Sequence, residues 1–229
     1  MSEVRKGLRR FPDMQFVADR ESFLMNICKG KRVLNLGCGD AISFSDRMQR
    51  GRHLHILLAD VSESLYGVDL HANTVQKLRD EYGVGNLHVA NVEALDIDFG
   101  TDFDVIVAGE LIEHVNNPGL FLESVSRYMS ATTRFVITTP NLHGLKVFIY
   151  SLVGRQRIPP DHSLGFSFKM LNEILERHGF YVEKWYTSVE RFVSRRNKLA
   201  NDFIFHLLFK MSPQHADTMI AVIRKRDNA

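Results

Sequence analysis

The stretch Val33-Leu34-Asn35-Leu36-Gly37-Cys38-Gly39-Asp40 decides the fold of this chain. A short apolar run passes directly into a Gly-Cys-Gly turn, the pattern of a buried strand followed by a loop that lets the backbone approach a ligand. The anionic end of that ligand would meet amide groups of the following helix. A dinucleotide-binding loop would place a third glycine at position 42, where Ile42 stands. The loop therefore suits a smaller anion, such as one carboxylate, better than a pyrophosphate.

Short apolar runs alternate along the chain with segments of helical period, which is typical of βαβ units. Seven of these runs are predicted strands: 32–36, 65–68, 87–90, 103–108, 134–138, 180–186 and 219–223. The pattern predicts an α/β fold. We expect a Rossmann-like, seven-stranded, mostly parallel sheet with helices on both faces and an antiparallel last strand.

Capping residues predict where helices begin and end. Asn117 followed by Pro118 is typical of an N-cap and a first-turn proline, and opens a predicted helix that runs through Met129. Ser167 can cap a later helix that Gly179 would end. An additional helix is expected within 52–64, with a strand as the alternative.

The length of 229 residues and the apolar content of 45% predict one domain spanning 1–229. Residues 1–30 are expected to form an N-terminal helical extension, and 142–165 and 190–211 are expected to be lid or insert segments. The second insert is amphipathic and partly basic. It contains Phe203–Phe209, predicted as a helix on the sheet or part of a lid, with weak peripheral membrane contact or partner binding as the alternative.

Charge and cysteine content narrow the class of protein. A net charge of +2 argues against a dedicated nucleic-acid binder, although basic stretches near Arg5 and Arg195 keep RNA open as a partner. The only cysteines, Cys28 and Cys38, fit a reducing compartment. No apolar run approaches the roughly 18 to 20 residues of a membrane span, so we expect a soluble, cytoplasmic protein without a transmembrane segment.

Polar residues follow the second and third predicted strands. In Tyr66-Gly67-Val68-Asp69-Leu70 an acidic side chain ends the strand and can hydrogen-bond both hydroxyls of a ribose. After the third strand, Asn91 offers an acceptor for an exocyclic amine. Taken singly, Asp69 is equally well explained as part of a surface turn, and for Asn91 a turn residue is the better explanation.

In this order and at strand ends, these pieces resemble the class I S-adenosylmethionine (SAM)-dependent methyltransferases, of the type 11 and type 23 kind, over roughly 31–186. The resemblance implies that SAM binds with its methionine part at the glycine loop, its ribose at Asp69 and its adenine near Asn91 and Val92. The implied cofactor-binding residues are Asn35, Gly37, Cys38, Gly39, Asp69, Leu70, Asn91, Val92 and Glu110.

Two positions depart from the family pattern. The family usually has Asp or Glu where Asn35 stands, and a third glycine is common where Ala41 stands. An amide at position 35 can accept a hydrogen bond but cannot offset the positive charge of the methionine ammonium. We therefore expect weakened, not abolished, SAM affinity, and tighter binding by an Asn35→Asp variant.

The segment after the fourth strand, Gly109-Glu110-Leu111-Ile112-Glu113-His114-Val115, is the candidate acceptor site. One helical turn would bring Glu110, Glu113 and His114 together at the carboxyl edge of the sheet, where open α/β folds bind ligands. A second polar cluster, Pro159-Pro160-Asp161-His162, follows a predicted helical insertion over 142–154, within the 142–165 insert.

Two chemical roles are open for this cluster. Either His114 or His162 can act as the general base that deprotonates a hydroxyl acceptor. Alternatively, Glu110, Glu113, His114 and His162 hold a divalent cation, Mg²⁺ or Mn²⁺, that lowers the pKa of the hydroxyl. The non-catalytic alternative is that Glu113 and His114 only orient the local backbone.

The ExxEH pattern followed by an Asp-His resembles the metal-dependent small-RNA 2′-O-methyltransferases and, less fully, the ubiquinone-pathway O-methyltransferases. The favoured reading is a SAM-dependent O-methyltransferase acting on a glycan or small-molecule hydroxyl. The alternatives are an Mg²⁺- or Mn²⁺-dependent RNA 2′-O-methyltransferase and a non-catalytic SAM-binding module.

Overall fold

The computed structural model describes residues 10–156, 159, 161–189 and 207–226. The strands are β1 (Met14–Val17), β2 (Arg32–Leu36), β3 (Ser64–Asp69), β4 (Leu87–Val89), β5 (Val105–Gly109), β6 (Arg134–Pro140), β7 (Phe180–Ser188) and β8 (Thr218–Lys225). The helices are α1 (Arg20–Cys28), α2 (Phe44–Gln49), α3 (Leu54–Ala59), α4 (Ala72–Tyr82), α5 (Pro118–Ser126), α6 (Leu145–Leu152) and α7 (Phe168–Arg177), with a further short helix at 207–211.

The described strands form one sheet of eight, in the order β1-β7-β8-β6-β5-β2-β3-β4. All neighbouring pairs are parallel except those of β8, which runs antiparallel to both β6 and β7. The predicted α/β class and antiparallel last strand are therefore confirmed. The sheet places the carboxyl ends of β2, β3 and β5 side by side, and the candidate site lies there.

The expected count of seven strands is wrong, because β1 lies in the segment predicted as a helical extension. Met14 pairs in parallel register with Trp185 on β7, so β1 forms an edge of the sheet. Among residues 10–30, which the structure describes, only α1 is helical. The four-residue β1 is a strand because it hydrogen-bonds to β7, which is distant in sequence. The local sequence pattern therefore gives no indication of this strand.

Side chains alternate between the two faces of the central strands, as the period of a strand requires. On β5, Ile106 and Ala108 join the large apolar core that includes residues of α5 and α7. Val105 and Val107 join a second core with residues of α1 and α3. Helices thus cover both faces, as predicted.

Two glycines let α3 approach the sheet closely. A Cβ atom at Gly67 would lie 2.7 Å from Cε1 of His55, and one at Gly109 would lie 2.8 Å from Cδ2 of Leu54. Both contacts are closer than van der Waals packing permits. The helix expected within 52–64 is confirmed as α3, although it is shorter.

The predicted helix caps are confirmed. The side chain of Asn117 accepts hydrogen bonds from the amides of Gly119 and Leu120, at 3.0 and 3.1 Å. Ser167 accepts one from the amide of Met170 at 3.3 Å. Helix α5 ends at Ser126 instead of continuing through position 129.

The first predicted insert, 142–165, contains α6 and begins and ends at one point: Asn141 forms a β-bridge with Phe166. Of the second, 190–206 lies outside the described residues, as do both basic stretches of the sequence. In 207–211, Phe209 is buried, with its ring centroid 6.1 Å from that of Phe16. None of the described helices combines the length and apolarity needed to cross a membrane.

Candidate functional site

The glycine loop after β2 is held by hydrogen bonds to the neighbouring strand. The amides of Gly37 and Cys38 both donate to the carbonyl oxygen of Val68, at 2.8 and 3.1 Å, and the amide of Gly39 donates to Oδ2 of Asp69 at 2.7 Å. These three loop amides are therefore already engaged within the protein, whereas the sequence prediction concerned the amides of the following helix. An anionic ligand group placed at residues 37–39 needs another partner.

Asp69 lies at the end of β3 and is almost completely buried. Its Oδ1 accepts a hydrogen bond from the amide of His71 at 2.8 Å, while Oδ2 accepts the one from the amide of Gly39. A Cβ at position 39 would lie 2.3 Å from Oγ1 of Thr74, so only glycine allows this close packing. Oδ1 also lies 3.2 Å from Nδ1 of His71, whereas Oδ2 can accept a further hydrogen bond, so the geometry is compatible with the predicted contact to a ribose.

The residues after β3 and β4 differ in exposure. Leu70 is 64% exposed, which is unusual for a large apolar side chain next to a buried acid and suits contact with a flat ring. Asn91 uses its side-chain oxygen as a cap, accepting from the amide of Glu93 at 2.9 Å. Glu93, which the sequence analysis missed, accepts from the amides of Asn116 and Asn117 at 2.8 and 3.0 Å and so joins this turn to the start of α5.

Asn35 occupies the position where the family usually has an acid, and it is 2% exposed. Its Nδ2 lies 3.1 Å from Nδ1 of His55, also fully buried. The Oδ1 of Asn35 has no hydrogen-bond partner within the described part of the chain. Burial and the nearby His53 lower the pKa of His55 to about 3, so its ring is neutral and can accept from the amide.

Arg20, at the start of α1, is a cation beside the candidate acceptor segment. The sequence analysis did not identify this residue. Its guanidinium lies 3.0 Å from Oε1 of Glu110 and 3.1 Å from Oε1 of Glu21. The side chain is only 11% exposed. Burial disfavours its charge, but Glu110 and Glu21 outweigh that effect and raise the pKa of Arg20.

A second arginine connects α1 with the glycine loop. Arg47 contacts both Asp40 and Glu21, and Asp40 has a left-handed backbone with φ of 45°. Arg52 adds further ion pairs to Glu21 and Asp19. The start of α1 is therefore tied by charge to the loop that follows β2. The only sign of this ion-pair network in the sequence is the charged triplet Asp19-Arg20-Glu21. Its partners are distant in sequence, so the tertiary structure determines which residues it pairs with.

The segment after β5 turns without forming a helix, so the predicted helical turn is wrong. The amide of His114 donates to the carbonyl oxygen of Leu111 at 2.9 Å, closing a single turn. Glu110 has a left-handed backbone, with φ of 52°, and points its carboxylate at Arg20 and at Oγ1 of Thr138, 3.1 Å away. Glu110 is thus separated from the other three residues of the predicted cation site.

Those three residues do converge. One potential ligand atom from each of Glu113, His114 and His162 lies within 4.8 Å of the others. The rings of His114 and His162 are perpendicular, with centroids 4.6 Å apart. Nδ1 of His114 lies 3.0 Å from Oδ2 of Asp161, which leaves Nε2 of His114 for a proton or a cation.

The carboxylate of Glu113 is incompletely satisfied. The residue is 1% exposed; Oε2 accepts from Oγ1 of Thr139 at 2.9 Å, whereas Oε1 has no hydrogen-bond partner among the residues described. Burial and the nearby Glu110 raise the pKa of Glu113 well above its usual value. Burial and the nearby His114 lower the pKa of His162. A buried orphan oxygen beside two imidazoles is a donor set that fits a divalent cation.

The insert is hydrogen-bonded to the backbone of this cluster. The amides of Ser163 and Leu164 donate to the carbonyl oxygen of Glu113 at 3.0 and 3.1 Å. On the other side, a Cβ at Gly37 would lie 3.0 Å from Cδ1 of Leu111, so the acceptor segment packs directly on the glycine loop. The two predicted sites are therefore adjacent parts of one site.

An open α/β sheet with a glycine loop after its central strand and an acid after the next is typical of the class I SAM-dependent methyltransferases, although dinucleotide-binding folds share these features. Residues 9–184 match the family described as methyltransferase domain, and the chain belongs to that family.

The relatives agree with this class. The chain is 28% identical over 161 residues to a probable SAM-dependent methyltransferase of Mycolicibacterium smegmatis, covering 70% of this chain and 56% of that protein. It is 26% identical over 130 residues to the ubiquinone biosynthesis O-methyltransferase of Coxiella burnetii, covering 57% and 52%. The chain thus spans about half the length of these relatives. The fold is similar to that of a TehB-like SAM-dependent methyltransferase from Corynebacterium glutamicum, with a TM-score of 0.56, 19% identity and coverage of 90% and 87%.

Proposed function

We propose that this protein transfers a methyl group from SAM to a hydroxyl group of a small molecule or glycan. The observation that carries the proposal is the convergence of Glu113, His114 and His162 at the carboxyl edge of the sheet, beside the glycine loop. Methyl transfer is an in-line displacement, so most of the acceleration can come from holding the hydroxyl in line with the sulfonium methyl. A hydroxyl must also lose its proton, and this cluster supplies the groups for that task.

The donor side of the site is proposed to bind SAM along the predicted residues. Asp69 would bind the ribose and Leu70 would pack on the adenine, with Asn91 and Val92 beside it. Because the loop amides of residues 37–39 are engaged, we assign the carboxylate of the methionine part to Arg20, a buried cation next to Glu110. The free Oδ1 of Asn35 is available to the ammonium.

On the acceptor side, His162 is neutral near pH 7 because its pKa is lowered, so its lone pair is available. His114 is oriented by Asp161 and presents Nε2. A divalent cation held by Glu113, His114 and His162 would lower the pKa of the acceptor hydroxyl. Without a cation, either histidine would take the proton itself.

The test begins with calorimetric titration of SAM and continues with methyl transfer to a panel of hydroxyl acceptors, with and without EDTA. We expect turnover that Glu113→Gln and His162→Asn abolish while SAM affinity is kept. His88→Asn, a change on β4, is the matched histidine control and should retain activity. Loss with EDTA and recovery with Mg²⁺ or Mn²⁺ would favour the cation over the histidine base.

Two alternatives give different results in the same experiment. SAM binding without turnover on any acceptor would show a non-catalytic binding module. An RNA acceptor would be indicated by affinity that falls steeply with salt, because phosphate contacts release counterions. The net charge of +2 is not that of a dedicated nucleic-acid binder, and we therefore favour a small-molecule or glycan acceptor.

A further inference from the structure

Glu110 lies between the two halves of the site and belongs to neither. Its Oε1 is 3.0 Å from Nη1 of Arg20 and 3.1 Å from Oγ1 of Thr138. Three residues on, Glu113 accepts from Thr139, the next residue of β6. The two carboxylates are thus held by consecutive threonines, and the ion pair with Arg20 keeps one of them away from the histidines.

We propose that Glu110 is a conditional cation ligand, released to the Glu113–His114–His162 cluster when the cofactor carboxylate takes its place on Arg20. This inference rests on the proposed function, because it requires both a SAM carboxylate at Arg20 and a cation at the cluster. It adds that the two ligands bind cooperatively through one ion pair.

The charges of the site support the exchange. Arg20 already faces two carboxylates, those of Glu110 and Glu21, in a nearly buried position. Glu21 is also paired with Arg47 and Arg52, whereas Glu110 is paired with Arg20 alone among the described ion pairs. A third carboxylate arriving at Arg20 would repel both acids in a medium of low dielectric. Glu110 is the acid with fewer cationic partners, so it is the one expected to leave.

The cluster, in turn, lacks the charge that a hard cation prefers. Of the three converging residues only Glu113 is acidic, and the two histidines contribute neutral nitrogens. Mg²⁺ and Mn²⁺ favour carboxylate oxygens, so a second carboxylate would complete the set. Glu110 is the nearest acid in sequence and already affects the charge state of Glu113.

The backbone of Glu110 is anchored by contacts that do not involve its carboxylate. Its φ of 52° lies in the left-handed region, which costs energy for a residue with a Cβ and persists only where the surroundings hold it. The amide is fixed to Thr138 by bonds of 2.9 and 3.1 Å, so the side chain can turn while the backbone stays.

Binding of Mn²⁺ to the full chain tests the inference. Free Mn²⁺ is followed by electron paramagnetic resonance in three states: protein alone, with S-adenosylhomocysteine, and with 5′-methylthioadenosine, which has the nucleoside but no carboxylate. We expect S-adenosylhomocysteine to tighten Mn²⁺ binding about tenfold, within the usual range of coupling between sites, and methylthioadenosine to leave it unchanged. Because coupling is reciprocal, Mn²⁺ should tighten S-adenosylhomocysteine by the same factor.

Variants separate the parts. Arg20→Gln should bind Mn²⁺ more tightly than wild type without cofactor and lose the response to S-adenosylhomocysteine. Glu110→Gln should keep the weak Mn²⁺ affinity of the protein alone in every state. Arg32→Gln is the matched control, since it removes an arginine–carboxylate pair, with Asp104 at 3.3 Å, that involves none of Arg20, Glu21 and Glu110 and should leave the response intact.

Each outcome decides between the inference and the proposed function. Equal effects of the two nucleosides, or Mn²⁺ affinity independent of both, would overturn the exchange while the proposed function stands. Absence of Mn²⁺ binding in the presence of bound S-adenosylhomocysteine would overturn the exchange and leave the histidine base. Failure to bind S-adenosylhomocysteine would overturn both.

Discussion

Lowering the pH from 7 to 5 should destabilise the wild-type protein through one buried histidine, and His55→Gln should remove that part of the loss. His55 is fully buried and its pKa is lowered to about 3, from an ordinary value of 6.5. Below pH 6.5 the unfolded chain takes up a proton there and the folded protein does not. The stability that the neutral His55 contributes to the folded protein is therefore fully present above pH 6.5 and is lost as the pH falls. Proton binding by the unfolded state alone amounts to about 2 kcal/mol between pH 7 and pH 5.

The assay is urea unfolding of both proteins at pH 7, 6 and 5. Glutamine does not titrate, yet its side-chain oxygen can still accept from Nδ2 of Asn35, so the buried amide keeps a partner. His53 also has a lowered pKa, but it is present in both proteins, so its effect cancels when the free energies of unfolding of wild type and variant are subtracted. Identical pH dependence in wild type and variant would refute the reasoning, because it would mean that His55 takes up its proton in the folded protein.

Three further predictions concern α1, the loop and the acceptor cluster. Asp19→Ala removes the N-cap of α1 and should cost about 1–2 kcal/mol in urea unfolding, whereas Asp19→Asn, which keeps a capping oxygen, should cost less. Gly39→Ala would place a Cβ 2.3 Å from Oγ1 of Thr74; we expect lost SAM binding by calorimetry, together with about 1–3 kcal/mol of stability, and unchanged affinity would contradict the packing. Glu113→Gln replaces a buried acid of raised pKa by a neutral side chain of the same shape, so the melting temperature should be kept or increased while Mn²⁺ binding is lost; a lowered melting temperature would argue that the carboxylate is charged and paired.

The central strands could be predicted from sequence because burial on both faces leaves a continuous apolar run. The run 32–36 is β2 to the residue, and its glycine loop follows as expected. Asp69 could be placed for the same reason, since it ends the neighbouring strand. Residues at the carboxyl ends of adjacent parallel strands must lie near each other whatever the loops do.

The features that sequence reasoning missed depend on distant partners. Strand β1 forms because Met14 pairs with Trp185 on β7. Arg20 belongs to the site because the start of α1 lies beside Glu110. The error at 110–114 has a different origin. The spacing of its acids fits a helical turn, but the left-handed Glu110 ends the strand abruptly and pairs its carboxylate with Arg20, outside the group of Glu113, His114 and His162.

The β-bridge between Asn141 and Phe166 closes the insert at its base, where the amide of Leu142 also donates to the carbonyl oxygen of Phe166 at 3.1 Å. A segment whose two ends meet can change in length at little entropic cost to the rest of the fold. The insert can therefore be replaced as a unit during evolution, while the strands of the proposed donor site remain unchanged. Grafting the insert of a relative between these two positions, with Asp161 and His162 kept in place, would then exchange acceptor preference and leave the affinity for the donor unchanged.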